Sequence, residues 1–203
     1  MIIVFAKAPV PGQAKTRLVP RLGAWRAARL QARLTRHALH TALAARCGPV
    51  ELHGTRRHGF FDRLGVVFRV QRGRDLGERM YNALSRALRR HDAAILIGTD
   101  CPMLAPQDLG RAARWLRGGC DAVLAPAEDG GYALIGARRV SSRLFEGISW
   151  GGPDVYAVTG ERLLRSGYRW RALRTVWDLD RPEDLDRLRS LRFASASRRG
   201  ARR

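Results

Sequence analysis

A chain of 203 residues, 45% of them hydrophobic, is long enough for one domain with a sizeable core. Its formal charge of +20 suggests nucleic acid, but the arginines lie on every predicted helix and no aromatic-interleaved basic motif occurs, so nucleic acid is a disfavoured partner. No stretch approaches the roughly 18 apolar residues of a membrane span, and the N-terminal apolar run is too short for a secretory signal. We therefore expect a cytoplasmic protein whose three cysteines are free thiols.

The predicted elements alternate between short apolar runs and helical patterns. Apolar runs of four or five residues, several rich in β-branched side chains, predict buried strands. Apolar residues that recur every three or four positions predict the helices. Strands are expected at residues 2–6, 66–70, 93–97, 122–125 and 132–135, and helices at about 24–45, 76–88, 109–116, after Pro153 and from Pro182 through Leu191.

Strands that alternate with helices predict an α/β fold with a mostly parallel sheet covered on both faces, and ligands of such sheets bind at the carboxyl ends of the strands. One domain over residues 1–191 is expected. The remaining residues, 192–203, carry five arginines and no acid, which leaves +15 on the domain. Such a tail is expected to be disordered.

The loop over residues 7–17 holds both lysines of a chain that otherwise uses arginine. Two ammonium groups, Arg17, the Thr16 hydroxyl and free N–H groups near Gly12 can surround a diphosphate at the start of a helix. The alternative is a surface turn stiffened by Pro9 and Pro11.

Acidic residues follow two other predicted segments. Asp100 ends a buried strand, where a carboxylate can hold Mg²⁺ while substrate phosphates supply further oxygens, although an Asx turn before Pro102 fits equally well. Asp178 and Asp180 alternate on an extended segment and so face the same side. Asp180 could complete a metal site with Asp100, or it could cap the helix that begins near Pro182.

Two glycine-containing loops are further candidates. Glu128 or Asp129, followed by two glycines, could act as a general base or bind sugar hydroxyls, or the segment could be a tight acidic turn. The loop around Asp75 could close over a base or sugar, or Asp75 could simply cap the following helix.

Taken together, residues 5–18, 75–80, 98–102, 126–136 and 178–185 resemble the motifs of the DUF2064 group of bacterial GT-A-fold glycosyltransferase-like proteins. The resemblance implies a single-domain nucleotide-diphospho-sugar transferase fold, a three-layer α/β sandwich, with Asp129 as a catalytic residue and Asp100 and Asp180 as ligands of Mg²⁺ or Mn²⁺. Other GT-A enzymes carry a D-x-D at the central position, whereas here Gly98-Thr99-Asp100 supplies one acid. The implied nucleotide-binding residues are Ala6, Lys7, Pro9, Gly12, Lys15, Arg17 and Asp75.

Two enzymatic hypotheses follow from this resemblance. In the first, a nucleotide-diphospho-sugar binds through the lysine loop and a metal, and the sugar passes to an acceptor near Asp129. In the second, a nucleotidyl group is transferred and pyrophosphate is released, as in guanylyltransferases whose loop also reads Lys-Thr-Arg. A basic nucleic-acid-binding or regulatory module with the same fold is the third alternative.

Overall fold

The computed structural model describes residues 1–190 and shows the expected alternation of strands and helices. The prediction of an α/β fold with a mostly parallel sheet is confirmed. Residues 192–203, with the predicted disordered tail, lie outside the described residues, as does Leu191.

The strands are β1 (Ile2–Ala6), β2 (Val50–Gly54), β3 (Val67–Val70), β4 (Ala94–Ile97), β5 (Ala122–Pro126), β6 (Tyr132–Ala137) and β7 (Trp170–Ala172). The helices are α1 (Val19–Leu22), α2 (Ala24–Ala44), α3 (Gly59–Asp62), α4 (Leu76–Leu88), α5 (Pro106–Arg117), α6 (Val155–Arg165) and α7 (Asp184–Ser190).

The seven strands form one sheet in the order β3-β2-β1-β4-β6-β5-β7. Strand β6 is antiparallel to both of its neighbours, and every other pairing is parallel. From β1 the chain continues outward through β2 and β3, whereas β4 lies on the other side of β1. The order reverses between β1 and β4, and this switch point is where open α/β sheets bind ligands.

The residues of β1 are buried on both faces, which explains its uninterrupted apolar sequence. Ile2, Val4 and Ala6 pack with residues of α2 and α5 on one face of the sheet. Ile3 and Phe5 pack with α4 and α6 on the opposite face. Two helical layers therefore enclose the sheet, and the loops at its carboxyl edge remain accessible.

Strands β2 and β7 and helices α1 and α3 were not predicted. Strand β2 lacks an uninterrupted apolar sequence because it contains Glu51 and His53. The Glu51 carboxylate accepts hydrogen bonds from His53 Nε2 at 3.0 Å and from Arg69 Nε of β3 at 2.7 Å. Burial lowers the pKa of His53, so its ring stays neutral near neutral pH. A polar network across β2 and β3 thus takes the place of the apolar run that usually marks a buried strand.

Replacing Gly54 with alanine tests the packing at the end of β2. An added Cβ would lie 2.6 Å from the Phe61 ring and 2.7 Å from the Phe68 ring, which stack with centroids 5.2 Å apart. We expect Gly54→Ala to lower the free energy of unfolding by about 2 kcal/mol through overpacking. Gly59, where an added Cβ meets nothing within 4 Å, is the matched control and should change stability by less than about 0.5 kcal/mol. Denaturant titration measures both, and equal effects would contradict the packing argument.

Candidate active site

The loops that follow β1 and β4 meet at the switch point, and the ammonium of Lys15 joins them. Lys15 Nζ lies 2.7 Å from Asp100 Oδ1 and donates a hydrogen bond to the Leu179 carbonyl at 2.5 Å. The Leu179 N–H in turn donates to the Asp100 carbonyl at 2.7 Å. Three segments that are distant in sequence are therefore tied together by one side chain.

The backbone of Lys15 adopts the left-handed conformation, with φ of 50° and ψ of 47°. Few non-glycine residues do so, because the Cβ crowds the following carbonyl group. The residue is only 6% exposed, and its side chain points inward rather than into solvent. The conformation directs the ammonium to Asp100, so Lys15 links two motifs that the sequence analysis treated as separate.

A buried polar chain supports Asp100 from α2. Gln31, which is 1% exposed, donates from Nε2 to Thr99 Oγ1 at 3.0 Å. The Thr99 hydroxyl donates to Asp100 Oδ1 at 3.4 Å. Because buried polar groups must be paired, this chain favours one orientation of the Thr99-Asp100 turn. About half of the Asp100 side chain remains exposed.

The other cations of the N-terminal loop differ in their surroundings. Lys7 is exposed, and within residues 1–190 its side chain forms neither a hydrogen bond nor an ion pair. Arg17 is paired with Asp180, with Nη1 2.5 Å from Oδ2. Lys7 is thus an available cation, and Arg17 can reach a ligand only by sharing or leaving Asp180.

The uncharged residues assigned to nucleotide binding form the frame of the same loop. Ala6 is buried at the end of β1, and its carbonyl accepts a hydrogen bond from the Thr55 N–H at 3.1 Å. Pro9 is half-buried, and Gly12 is an exposed turn residue with φ of 75°. These residues give the loop its shape. Their role in nucleotide binding stays a prediction.

Asp129 lies in a tight turn after β5. Its Oδ1 accepts a hydrogen bond from the Gly131 N–H at 2.9 Å, and the side chain is exposed. The turn is held against the start of α6, because the Gly130 carbonyl accepts from the Tyr156 N–H at 2.8 Å and an added Cβ on Gly130 would lie 1.8 Å from the Pro153 carbonyl oxygen. The turn thus presents Asp129 at the carboxyl edge of the sheet.

Two further acids of these loops have protein partners. Arg187 forms two hydrogen bonds with the Glu128 carboxylate, at 2.8 and 3.0 Å, so Glu128 is the less available of the two acids in this turn. Asp75 Oδ1 accepts from the Glu78 N–H at 2.8 Å and caps α4. A role of Asp75 toward nucleotide stays a prediction.

The carboxylates of the site converge on one region. Burial raises the pKa of Asp178 to about 6, and repulsion from Asp129, Asp180 and Asp184 adds to the effect. Burial likewise raises the pKa of the Cys101 thiol, with further contributions from Asp100, Asp178 and Asp129. The alternation with Asp180 was visible in the sequence, but only the structure shows that Asp178 faces the other acids.

The donor set fits a hard divalent cation that is shared with a substrate. Within residues 1–190, no three histidine, cysteine or acidic side chains are arranged as a complete metal site. Mg²⁺ needs only one or two carboxylates when phosphates and water supply the other oxygens. Asp100 and Asp178 provide carboxylates in a region where negative charge accumulates, although Asp100 is paired with Lys15 through Oδ1 and Asp180 is paired with Arg17.

The sequence analysis did not identify Trp150 as part of this edge. Its indole lies against Gly77 in the first turn of α4, where an added Cβ would be 2.5 Å from the ring. The indole N–H is buried and has no hydrogen-bond partner among the residues that the structure describes. Since Pro153 of the same segment contacts Gly130, residues 150–153 connect the loop of Asp75 with the turn of Asp129. The Trp-Gly-Gly-Pro sequence was the only available signal.

Lys15→Met tests the contacts of the Lys15 ammonium with Asp100 and the Leu179 carbonyl, because methionine retains the stem of the side chain and removes the charge. The change leaves the buried Leu179 carbonyl without its Lys15 donor, and we expect a loss of about 2 kcal/mol in the free energy of unfolding. The matched control is Arg17→Met, which removes an ion pair that is largely exposed and should cost about 0.5 kcal/mol. A loss at Lys15 no larger than that at Arg17 would contradict the bridge.

Asp178→Asn tests the raised pKa of this half-buried carboxylate in protein kept free of divalent cations with a chelator. The Asp178 pKa rises on folding from 3.8 to about 6, so this group makes the free energy of unfolding fall as pH rises between those values. The shift corresponds to at most about 3 kcal/mol, which partial exposure reduces to about 1–2 kcal/mol.

We therefore expect the variant to be stabilised by about 1–2 kcal/mol at pH 8, and by about a third of that amount at pH 4.5, in denaturant titrations. The exposed Asp92→Asn is the control and should change stability by less than about 0.5 kcal/mol at either pH. A pH-independent gain at Asp178 would show that the pKa of this carboxylate is not raised on folding.

Comparisons with known proteins agree with this architecture. A crystal structure from Desulfovibrio desulfuricans G20, of a protein whose nucleotide-diphospho-sugar transferase activity is itself inferred, is 33% identical, with a TM-score of 0.86 over 98% of this chain and 90% of that chain. CMP:2-keto-3-deoxy-manno-octonic acid synthetase in complex with CTP is 12% identical, with a TM-score of 0.63 over 93% and 96% of the two chains. Rv0371c of Mycobacterium tuberculosis H37Rv in complex with manganese is 19% identical, with a TM-score of 0.55 over 94% and 98%.

The last two similarities concern the fold alone. None of the curated proteins matches the sequence. No helix within residues 1–190 has the length and apolar character needed to cross a membrane. The family model described as "Uncharacterized protein conserved in bacteria (DUF2064)" matches residues 37–152, more than half of the chain. The chain therefore belongs to the DUF2064 family.

Proposed function

We propose that the protein is a transferase that binds a nucleotide-diphospho-sugar at the switch point and transfers the sugar to an acceptor. The observation that supports this proposal most directly is the Lys15–Asp100 bridge, which places a cation-rich loop and an acidic strand end at the one edge position that α/β sheets use for ligands. The similarity to the Desulfovibrio protein, which carries that transferase name, points to the same substrate class.

The cations of the N-terminal loop would hold the diphosphate. Lys7 is exposed and has no partner within residues 1–190, so its ammonium can bind phosphate without losing a contact. An ammonium has three N–H donors, and Lys15 uses two of them for Asp100 and Leu179. Because its side chain is only 3% exposed, Lys15 would hold the loop and Asp100 in position, and Lys7 would be the main direct contact to the phosphates. Cations in these positions stabilise the charge that develops on a leaving diphosphate.

Mg²⁺ or Mn²⁺ would be held by Asp100 together with the acidic pair of residues 178 and 180, of which Asp178 is the more crowded by other carboxylates. A bound divalent cation would supply charge neutralisation for the phosphates and relieve the repulsion among these acids.

Asp129 is the residue that we assign to the acceptor. Its side chain is exposed at the edge, and hydrogen bonding to Gly131 occupies one carboxylate oxygen. In the proposed reaction the bond between the anomeric carbon and the diphosphate oxygen breaks, and a bond to the acceptor oxygen forms. The acceptor proton passes to Asp129, and the nucleoside diphosphate leaves.

Nucleotidyl transfer is the second candidate, and one observation favours it. The Gly98-Thr99-Asp100 strand end supplies a single acid, and the loop reads Lys15-Thr16-Arg17 like that of guanylyltransferases. In this reaction a nucleoside triphosphate would react with a phosphorylated metabolite and release pyrophosphate.

Calorimetric titration with UDP- and GDP-sugars and with nucleoside triphosphates, each with Mg²⁺ or with EDTA, tests nucleotide binding. We expect at least one ligand to bind, and Lys7→Ala and Asp100→Asn each to weaken its affinity about tenfold or more. Arg138→Ala is the control because Arg138 follows β6, whose antiparallel direction ends it at the opposite edge of the sheet. Unchanged affinity in both site variants would refute the phosphate-binding role of this edge.

Product analysis separates the two reactions. Release of nucleoside diphosphate from a bound nucleotide-sugar indicates glycosyl transfer, and release of pyrophosphate from a triphosphate indicates nucleotidyl transfer. Asp129→Asn should lower kcat by about 10²-fold or more while it leaves KM for the nucleotide substrate within about threefold. An unchanged kcat would exclude Asp129 as the base.

A further inference from the structure

Most of the net charge of +20 has no role in the proposed reaction, yet part of that remainder is organised in space. The first 50 residues contain nine lysines and arginines and no acid. Most of these residues after the site loop lie on α2, a helix of 21 residues. Every other helix of eight or more residues in the described part of the chain contains at least one acid. Helix α2 is therefore exceptional in its charge.

The solvent face of α2 is a row of cations. Arg26, Arg29, Arg33 and Arg36 are exposed, at spacings of three and four residues that place them along one side of the helix. None of Arg26, Arg29 and Arg36 forms an ion pair within residues 1–190. Their charges are not neutralised by neighbouring acids.

Helix α5 adds a second row of cations beside the row on α2. It lies beside α2 on the same face of the sheet and exposes Arg111, Arg114 and Arg117. Its one acid, Asp108, is buried and paired with Arg174 at 2.8 Å, so it faces away from solvent. We call the exposed arginines of α2 and α5 the basic face.

Two apolar side chains project from the same side of α2. Trp25 is 76% exposed and Leu43 is 53% exposed. They are 18 residues apart, which is five turns, so they lie on one line about 27 Å apart with the arginines between and beside them. Tryptophan next to arginine is the combination that membrane-surface helices use, with the ring at the headgroup level and the cations on the phosphates.

We propose that the basic face binds the surface of an anionic phospholipid bilayer. Two parallel helices packed side by side on a sheet form a broad, shallow layer, which suits a flat lipid surface better than the groove of a duplex. Each exposed cation is attracted to anionic headgroups, and Trp25 and Leu43 add apolar contact at the two ends. The bilayer is contacted without any segment that crosses it.

This docking has a consequence for the candidate active site. Helix α2 begins at the sheet edge where β1 ends, so Trp25 lies at the same end of the molecule as the lysine loop. The proposed docking therefore brings the site edge close to the lipid surface, where an acceptor could be carried. Membrane binding does not require nucleotide and stands apart from the proposed transferase reaction.

Vesicle sedimentation with the full-length protein and no nucleotide tests the proposal. Wild type should sediment with vesicles of phosphatidylcholine containing 30% phosphatidylglycerol in 50 mM NaCl, and should not sediment with pure phosphatidylcholine or in 500 mM NaCl. The triple variant Arg26→Glu/Arg29→Glu/Arg36→Glu should lower the partition coefficient more than tenfold. Trp25→Ser, which leaves the charge unchanged, should lower it about threefold or more, and thermal unfolding checks that each variant folds.

The matched control is Arg86→Glu/Arg89→Glu/Arg138→Glu, which removes the same charge from exposed arginines away from the basic face. This control should retain most of the vesicle binding. An equal loss in both triple variants would overturn the proposal, because attraction would then depend on total charge alone. Absence of vesicle binding by wild type would also overturn it, and retained binding to a 20-nucleotide RNA in that case would assign the face to nucleic acid.

Discussion

The buried ammonium of Lys15 is the interaction on which the candidate site depends. An ammonium removed from water needs partners on its donors, and Asp100 and the Leu179 carbonyl supply them. Because these partners follow β4 and β7, the pairing fixes the loop after β1 against two other segments of the carboxyl edge. The left-handed backbone of Lys15 is the local conformation that permits this direction of the side chain.

Charge in this protein is separated at two scales. Within the site, Lys7, Lys15 and Arg17 lie on one loop, whereas Asp129 and Asp178 lie on neighbouring segments, where burial and then repulsion from Asp129 raise the pKa of Asp178. Such a division suits the proposed pair of substrates, a donor with a diphosphate and an acceptor with a reacting hydroxyl. Within residues 1–190, the exposed arginines of α2 and α5 form a face distinct from the carboxyl edge, so the net charge and the site charge have separate explanations.

Much of the secondary structure could be predicted because it depends on local patterns. The apolar run of β1 and the periodic apolar residues of α2 were located to within one residue, since burial on both faces or on one stripe leaves a plain signal. Strand β2 was missed because Glu51 and His53 are tolerated in it only through Arg69, a partner on a strand that follows 13 residues later. The position of Trp150 against Gly77 could not be predicted, because the Trp-Gly-Gly-Pro sequence does not indicate which segment the indole contacts.

The sequence by itself determined the alternating α/β architecture, and it predicted the lysine loop as a phosphate-binding candidate and the acids at positions 100, 129, 178 and 180 as candidate site residues. Only the tertiary structure decided how they are paired: Lys15 with Asp100, Arg17 with Asp180, Arg187 with Glu128, and Asp178 left among other carboxylates. The physical reason is that residue type sets what charge a group can carry, whereas burial and the distance to a partner from another segment set which charges remain available for a ligand.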